Sequence, residues 1–165
     1  MRRIVLLAAV ASIAACGGQA EPKRDLPTLQ GRVMDQADLL TSAQEAQLER
    51  ALATSERKTR AQFVVATVPD LKGKSIVDYG VDLGREWGFG RHDIDDGVML
   101  IVAPKEQQVR IEVGYGLEGI LRDEEAKAII TDRITPYFRR GDMAAGILAG
   151  SAAIIREIDV PGATP

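Results

Sequence analysis

The residues best suited to chemistry lie between Asp95 and Asp142, where an acidic pair precedes an apolar strand and a glycine-rich loop follows the next one. Gly114-x-Gly116-x-x-Gly119 has the spacing of a dinucleotide fingerprint. That fingerprint needs a helix N-terminus facing a pyrophosphate, but the next helix is expected only near Asp123, behind a negative cap. The nucleotide reading is therefore rejected. The glycines are read as permitting positive φ and close packing beneath a pocket. His92 is the sole histidine, in the loop from Gly90 to Asp96. It has the chemistry of a general acid or a ligand, but a lone loop histidine is more often a solvated surface residue. Cys16 is the sole cysteine, so no intrachain disulfide can form. No HExxH, GxSxG or Walker motif is present. Any hydrolysis would then rest on a carboxylate-held metal that activates water or clamps phosphate oxygens. An acidic site would suit such an ion and would repel phosphate without it.

The elements that must position these residues follow from periodicity. Thr41-Ser-Ala-Gln44 fits a capping box, predicting a helix to about Thr59 with Leu48, Ala51, Leu52 and Ser55 on one face. Phe63 to Val68 is an unbroken apolar run stopped by Pro69, as in a strand buried on both faces. Ser75 caps a second helix whose stripe is Ile76, Gly80, Leu83 and Trp87, ended by Gly88 and Gly90. Val98 to Ala103 is a second buried strand. A short turn at Pro104 leads to an alternating strand through Val109, Ile111 and Val113, which must run antiparallel to it. Asp123 is expected to cap a third helix that Pro136 interrupts. Asp142 opens a last one with Ile147, Leu148, Ile154, Ile155 and Ile158 buried. Right-handed strand–helix–strand crossovers would place helices on both sheet faces. The fold class is therefore α/β: an α/β/α sandwich with a small mixed β-sheet flanked by about four helices.

The 165 residues suit one domain, read as residues 32–160, with a frayed tail at 161–165. Residues 1–15 read as an export signal: Arg2 and Arg3 precede an apolar run too short to span a bilayer comfortably. Ile13-Ala-Ala-Cys16 resembles the lipobox of bacterial lipoproteins, in which the cysteine sulfur is acylated and begins the mature chain. The competing readings are an ordinary secretory signal cleaved near Ala20 and a short membrane anchor. Two or more lipid chains hold a small domain on a membrane stably. Residues 16–31, with Gly17, Gly18, Pro22 and Pro27, read as a flexible tether. Losing the signal leaves 19 basic against 24 acidic residues, a formal charge of −5, which argues against a nucleic-acid partner. Gly17-Gly18 after the cysteine, with no aspartate, points to a lipid-anchored domain in the periplasm, at the outer membrane if the host has one.

Gly114-Tyr-Gly-Leu-Glu-Gly119, Asp123, Pro136-Tyr-Phe-Arg139 and Gly141-Asp142 together resemble the TPM domain family of thylakoid and bacterial envelope proteins. Val33-Met-Asp35-Gln-Ala37-Asp-Leu39-Leu40 resembles that family's opening motif, and Asp96-Gly97-Val98 to Pro104 its central strand. Two positions depart from the pattern. Arg122 stands where members commonly have proline, and Asp95-Asp96 replaces an aspartate–asparagine pair.

The resemblance implies either an accessory envelope domain working through a protein partner or a metal-dependent acid phosphatase acting on phosphomonoesters. It also implies a site for Ca²⁺ or Mg²⁺ on Asp35, Asp95 and Asp96, beside a pocket loop of Gly114, Tyr115, Gly116, Glu118 and Gly119. Hard cations take several carboxylate and carbonyl oxygens, and glycine-rich backbone brings carbonyls close. The competing structural readings are plain. Asp35 would hydrogen-bond loop amides, Asp96 would make a turn before its strand, and Asp123 and Asp142 would be N-caps.

Overall fold

The computed structural model of the protein describes residues 26–91 and 93–159. The export signal expected at residues 1–15, the acylation site Cys16, most of the tether, His92 and the tail at 161–165 lie outside the described residues. The elements are β1 (Val33–Asp35), α1 (Ser42–Thr59), β2 (Gln62–Thr67), α2 (Ile76–Trp87), β3 (Gly97–Ala103) and β4 (Gln108–Val113). A 3₁₀ turn, Tyr115–Leu117, follows, and then α3 (Asp123–Ile129), a π-helical turn (Ile130–Ile134), the short α4 (Thr135–Phe138) and α5 (Met143–Ile158). The sheet order is β1-β2-β3-β4, with the first three strands parallel and β4 antiparallel to β3.

Local chemistry sets most element ends. Thr41 and Gln44 form the expected reciprocal capping box on α1. The Ser75 hydroxyl accepts from Asp78 N, and Gly88, at φ 57, closes α2. Asp142 caps α5 by accepting from Ala145 N at 3.0 Å. Asp123 differs from expectation. It is the first residue of α3, whose N-cap is Arg122, because Ala126 N already bonds to the Arg122 carbonyl at 3.0 Å. Asp123, Glu124 and Glu125 then act on the helix dipole, as acids in a first turn do. Pro136 does not end the helix outright. Lacking an N–H, it cannot join the α ladder. The preceding residues widen into the π turn, and Thr135 Oγ1 donates to the Ile130 carbonyl at 2.8 Å.

All seven residues of β3 are buried, and its alternate side chains define two faces. Val98, Leu100 and Val102 pack with α1, α3 and α5, through Leu52, Ile129 and Ile154 among others. Met99, Ile101 and Ala103 pack beneath α2 against Tyr79 and Leu83. This is the expected α/β/α sandwich. Within α1, Leu48, Leu52 and Ser55 are buried, but Ala51, expected on that stripe, is exposed.

Two features were not expected. Crossovers β1–α1–β2 and β2–α2–β3 step across the sheet in the same direction, yet α1 and α2 lie on opposite faces. They therefore have opposite hand, and one of them departs from the right-handed rule. With α3 and α5 already beside α1, α2 is the long helix left to cover the other face of β3. Second, part of the presumed tether is packed. Leu29 packs against the cluster of Met34, Val64 and Ala66, as Trp87 does, Leu26 packs against the α2 cluster, and Trp87 Nε1 donates to the Pro27 carbonyl at 2.7 Å. The packed domain thus begins by Leu26.

Candidate functional site

The N-terminal end of β3 and the C-terminal end of β4 are neighbours, as antiparallel pairing requires. Gly114 N donates to the Gly97 carbonyl at 2.8 Å, and Gly116 N to the Asp95 carbonyl at 3.0 Å. The glycine-rich loop therefore lies directly on the Ile94–Asp95 turn. A Cβ on Gly114 would overlap the Asp95 carbonyl oxygen, and one on Gly116 would overlap that of Ile94. Close approach, and not the expected positive φ, is what requires glycine here: Gly114 has φ −72, and the positive-φ glycines are elsewhere. Leu117, 1% exposed, anchors the loop in the core.

Asp95 itself is at φ 53. An L-residue there is strained, and aspartate tolerates it better than most. The turn is held by Asp95 N donating to the Arg91 carbonyl at 2.7 Å, and by Gly90, at φ 86, donating to Gln62 Oε1 at 2.9 Å. The Asp95 carboxylate has one long contact, from Tyr115 N at 3.4 Å, and no ion pair among the described residues.

That carboxylate lines a groove of about 370 Å³ between α2 and the end of β4. Val81 and Arg85 form one wall, Glu112, Gly114 and Tyr115 the other, and Met99 and Phe89 also line it. Gly80 lets α2 approach: a Cβ there would sit 2.7 Å from Glu112 Oε1. Glu112 is engaged by Arg110, whose Nη2 donates to Oε2 at 2.9 Å. Among the described residues the exposed large hydrophobics are Val77, Val81 and Tyr115, the last 81% exposed, and two of the three line this groove. A larger cavity of about 460 Å³, near Phe138, Arg139 and Met143, carries no acid.

The other expected site residues go elsewhere. Asp96 is fully buried and held by Arg91, with Nη2 to Oδ2 at 2.5 Å, Nε to Oδ2 at 2.7 Å and N to Oδ1 at 2.9 Å. Burial pushes its carboxyl up, but these hydrogen bonds and the guanidinium charge outweigh that and hold it below the usual carboxylate range. Asp35 uses both oxygens internally. It accepts from Leu39 N at 3.1 Å, Leu40 N at 2.7 Å and Thr67 Oγ1 at 2.5 Å. Glu118 and Gly119 are exposed and do not line the groove.

Strand register separates the three aspartates expected to share an ion. Asp35 pairs with Thr67, and Thr67 with Val102, whereas Asp96 precedes Gly97 at the other end of β3. Five residues of strand put Asp35 roughly 16 Å away along the sheet, and two strand spacings of about 4.8 Å add to that. Oxygens at such separations cannot all lie 2.3–2.6 Å from one Ca²⁺. Among the described residues no three His, Cys, Asp or Glu side chains are grouped to hold a metal ion. Asp95 is the donor left facing the groove. Among the described residues that line the groove, the Asp95 carboxylate, the Gly114 backbone and the exposed Tyr115 phenol offer chemistry for recognition.

Sequence reasoning found Asp95 and the glycine loop but missed the α2 wall. The signal was there in Val77 and Val81, four apart and off the buried stripe of α2.

The chain is similar to several bacterial domains solved in solution. The N-terminal domain of a Porphyromonas gingivalis protein ("P.gingivalis") shares 35% identity at a TM-score of 0.73, covering 77% of this chain and 81% of that one. The N-terminal domain of cg2496 from Corynebacterium glutamicum, at 16% identity and TM-score 0.61, covers 82% and 84%. BA42 from the psychrophile Bizionia argentinensis, at 18% and 0.63, covers 72% and 81%. The last two show the fold alone. No curated protein matches. The model of the TPM domain matches residues 33–157, and this chain belongs to the TPM domain family.

Proposed function

We propose that this protein is a lipid-anchored envelope domain that works by binding, with the groove beside Asp95 and Tyr115 as its contact site. One observation carries the reading. The side chains that should be inside but are not, Val81 and Tyr115, stand at the groove that also holds a strained aspartate without an ion pair. Exposed apolar surface beside a polar group is the composition of a recognition site, and backbone strain collects where function over-determines geometry. A divalent cation enters this reading only at Asp95, supplemented by backbone carbonyls and water. That is a weak site, unlike the three-carboxylate cage expected from the resemblance.

Calorimetric titration of the protein with CaCl₂ and MgCl₂ to millimolar concentration, with Asp95→Asn alongside, tests the cation. Heat of binding that vanishes in the variant would place an ion at Asp95. Assay with p-nitrophenyl phosphate tests the competing phosphatase reading. Substantial metal-dependent turnover, abolished by Asp95→Asn, would overturn the binding-only view. For the anchor, a palmitate analogue should label the wild type and not Cys16→Ser. No helix among the described residues is long and apolar enough to cross a membrane, so attachment rests on Cys16 in this reading.

A further inference from the structure

We propose that the outer edge of β4 is a strand-docking slot that takes one extended segment of a partner protein with alternating apolar and polar residues. The bond from Gly114 N to the Gly97 carbonyl, with the continuous register from Val98↔Val113 to Ala103↔Gln108, sets which β4 residues face β3. Gln108, Arg110 and Glu112 exchange hydrogen bonds inward, so the N–H and C=O groups of Val109, Ile111 and Val113 point outward. Those six groups have no hydrogen-bond partner among the described residues. Yet Ile111 is only 7% exposed. Val109 and Val113 beside it are half-buried, and a strand edge with its N–H and C=O groups free of strand pairing is a ready template for another backbone.

The edge is the floor of a cavity of about 360 Å³. Ile76 of α2 overhangs it from one face, and Asp123, Ala126, Lys127 and Ile130 overhang it from the other. Within the strand itself nothing blocks pairing: β4 has no proline and no bulge, and its charges, Arg110 and Glu112, neutralise each other.

The occupant follows from this shape. A second copy of the domain would bring its own α2 and α3 against these overhanging helices, whereas a lone strand about 4.8 Å from β4 fits between them. On the α3 side its side chains would meet Ile111, Ala126 and Ile130, and on the α2 side the Arg110–Glu112 pair, hence the alternation. With residues 1–16 taken as the signal and lipid anchor of the proposed function, this chain's other outlying segments do not match. Gly17 to Asp25 carries two glycines, a proline and four charges, and Pro161 to Pro165 carries two prolines. Addition of a strand to an open edge is an established mode of peptide recognition.

Residue-resolved hydrogen exchange on the full chain tests the slot, with an acetylated and amidated octapeptide of alternating valine and threonine between terminal lysines as probe. Saturating peptide should slow exchange at Val109, Ile111 and Val113 at least tenfold, with Arg110 and Glu112 already slow without it. The same peptide N-methylated on the alternate amides that face β4 should give no protection. Val109→Pro, which removes one outward N–H and leaves the β3 ladder intact, should weaken binding at least tenfold. Absence of protection at millimolar peptide, or equal binding of the N-methylated peptide, would overturn the proposal. So would a concentration-dependent dimer that protects the same three amides unaided, because the occupant would then be a second copy.

Discussion

The Asp95 carbonyl oxygen occupies the space where a Cβ at position 114 would stand, so the acidic turn and the glycine-rich loop are each the shape the other allows. Gly114→Ala must push the loop off the turn. We expect a loss of about 1–3 kcal/mol, as for overpacking of a filled site, read as the shift in denaturant midpoint. Gly119→Ala, where a Cβ meets nothing within 4 Å and φ is not positive, is the control and should change stability by less than about 0.5 kcal/mol.

Asp95 and its φ of 53 separate function from stability. Glycine adopts that conformation freely, so Asp95→Gly should raise stability by up to about 1 kcal/mol while removing from the groove the carboxylate that has no ion pair. A more stable protein with weaker ligand binding is the expected pair of results from thermal melts and calorimetry. If Asp95→Gly lowers stability, the backbone strain assigned to this turn is wrong.

The Arg91–Asp96 pair predicts a pH dependence of definite sign. The folded pKa of Asp96 lies below its ordinary 3.8, so the folded state favours the ionised form. Its contribution is complete above about pH 5 and is lost as pH falls through 3.8 towards the folded value. Asp96→Asn keeps an acceptor for Arg91 N and should flatten this acid limb of the stability curve. Arg91→Ala leaves the buried carboxylate without its ion-pair partner, so it should lower the melting temperature most at neutral pH and least near pH 3, where the carboxyl can protonate.

Asp35 ties the β1–α1 loop to Thr67 through both carboxylate oxygens. Asp35→Ala would strand the Leu39 and Leu40 amides, and a cost of about 1–3 kcal/mol is expected. Ligand binding at the Asp95 groove, roughly 16 Å along the sheet, should be unchanged in the same variant. Coupled loss of both would show that the two ends of the sheet communicate.

Ser55 in α1 and Ser151 in α5 are buried with hydroxyls that have no partner among the described residues. Ser151→Ala removes an unsatisfied polar atom at almost constant shape. Chemical denaturation should show no loss and a gain of up to about 1 kcal/mol.

The sequence by itself determined everything that depends on a few consecutive residues. The capping box at Thr41, the Ser75 and Asp142 caps, the αL stop at Gly88 and the unbroken apolar runs of β2 and β3 are local devices. The hairpin was legible for the same reason, because a four-residue connection allows only antiparallel pairing, and with it came the meeting of Asp95 and Gly114. Strand β1 was not legible, because three residues carry no periodicity. Without β1 there was no reason to see that Asp35 ends a strand parallel to β3 and so must lie at the opposite end of the sheet from Asp96. Composition also misread residues 26–31. Proline and glycine signal a tether, but Leu26 and Leu29 find apolar surface that exists only once α2 has folded onto the sheet. Tertiary structure alone decided the face each helix covers and the overhung edge of β4. Each of these is a relation between side chains that only the packed sheet brings into contact.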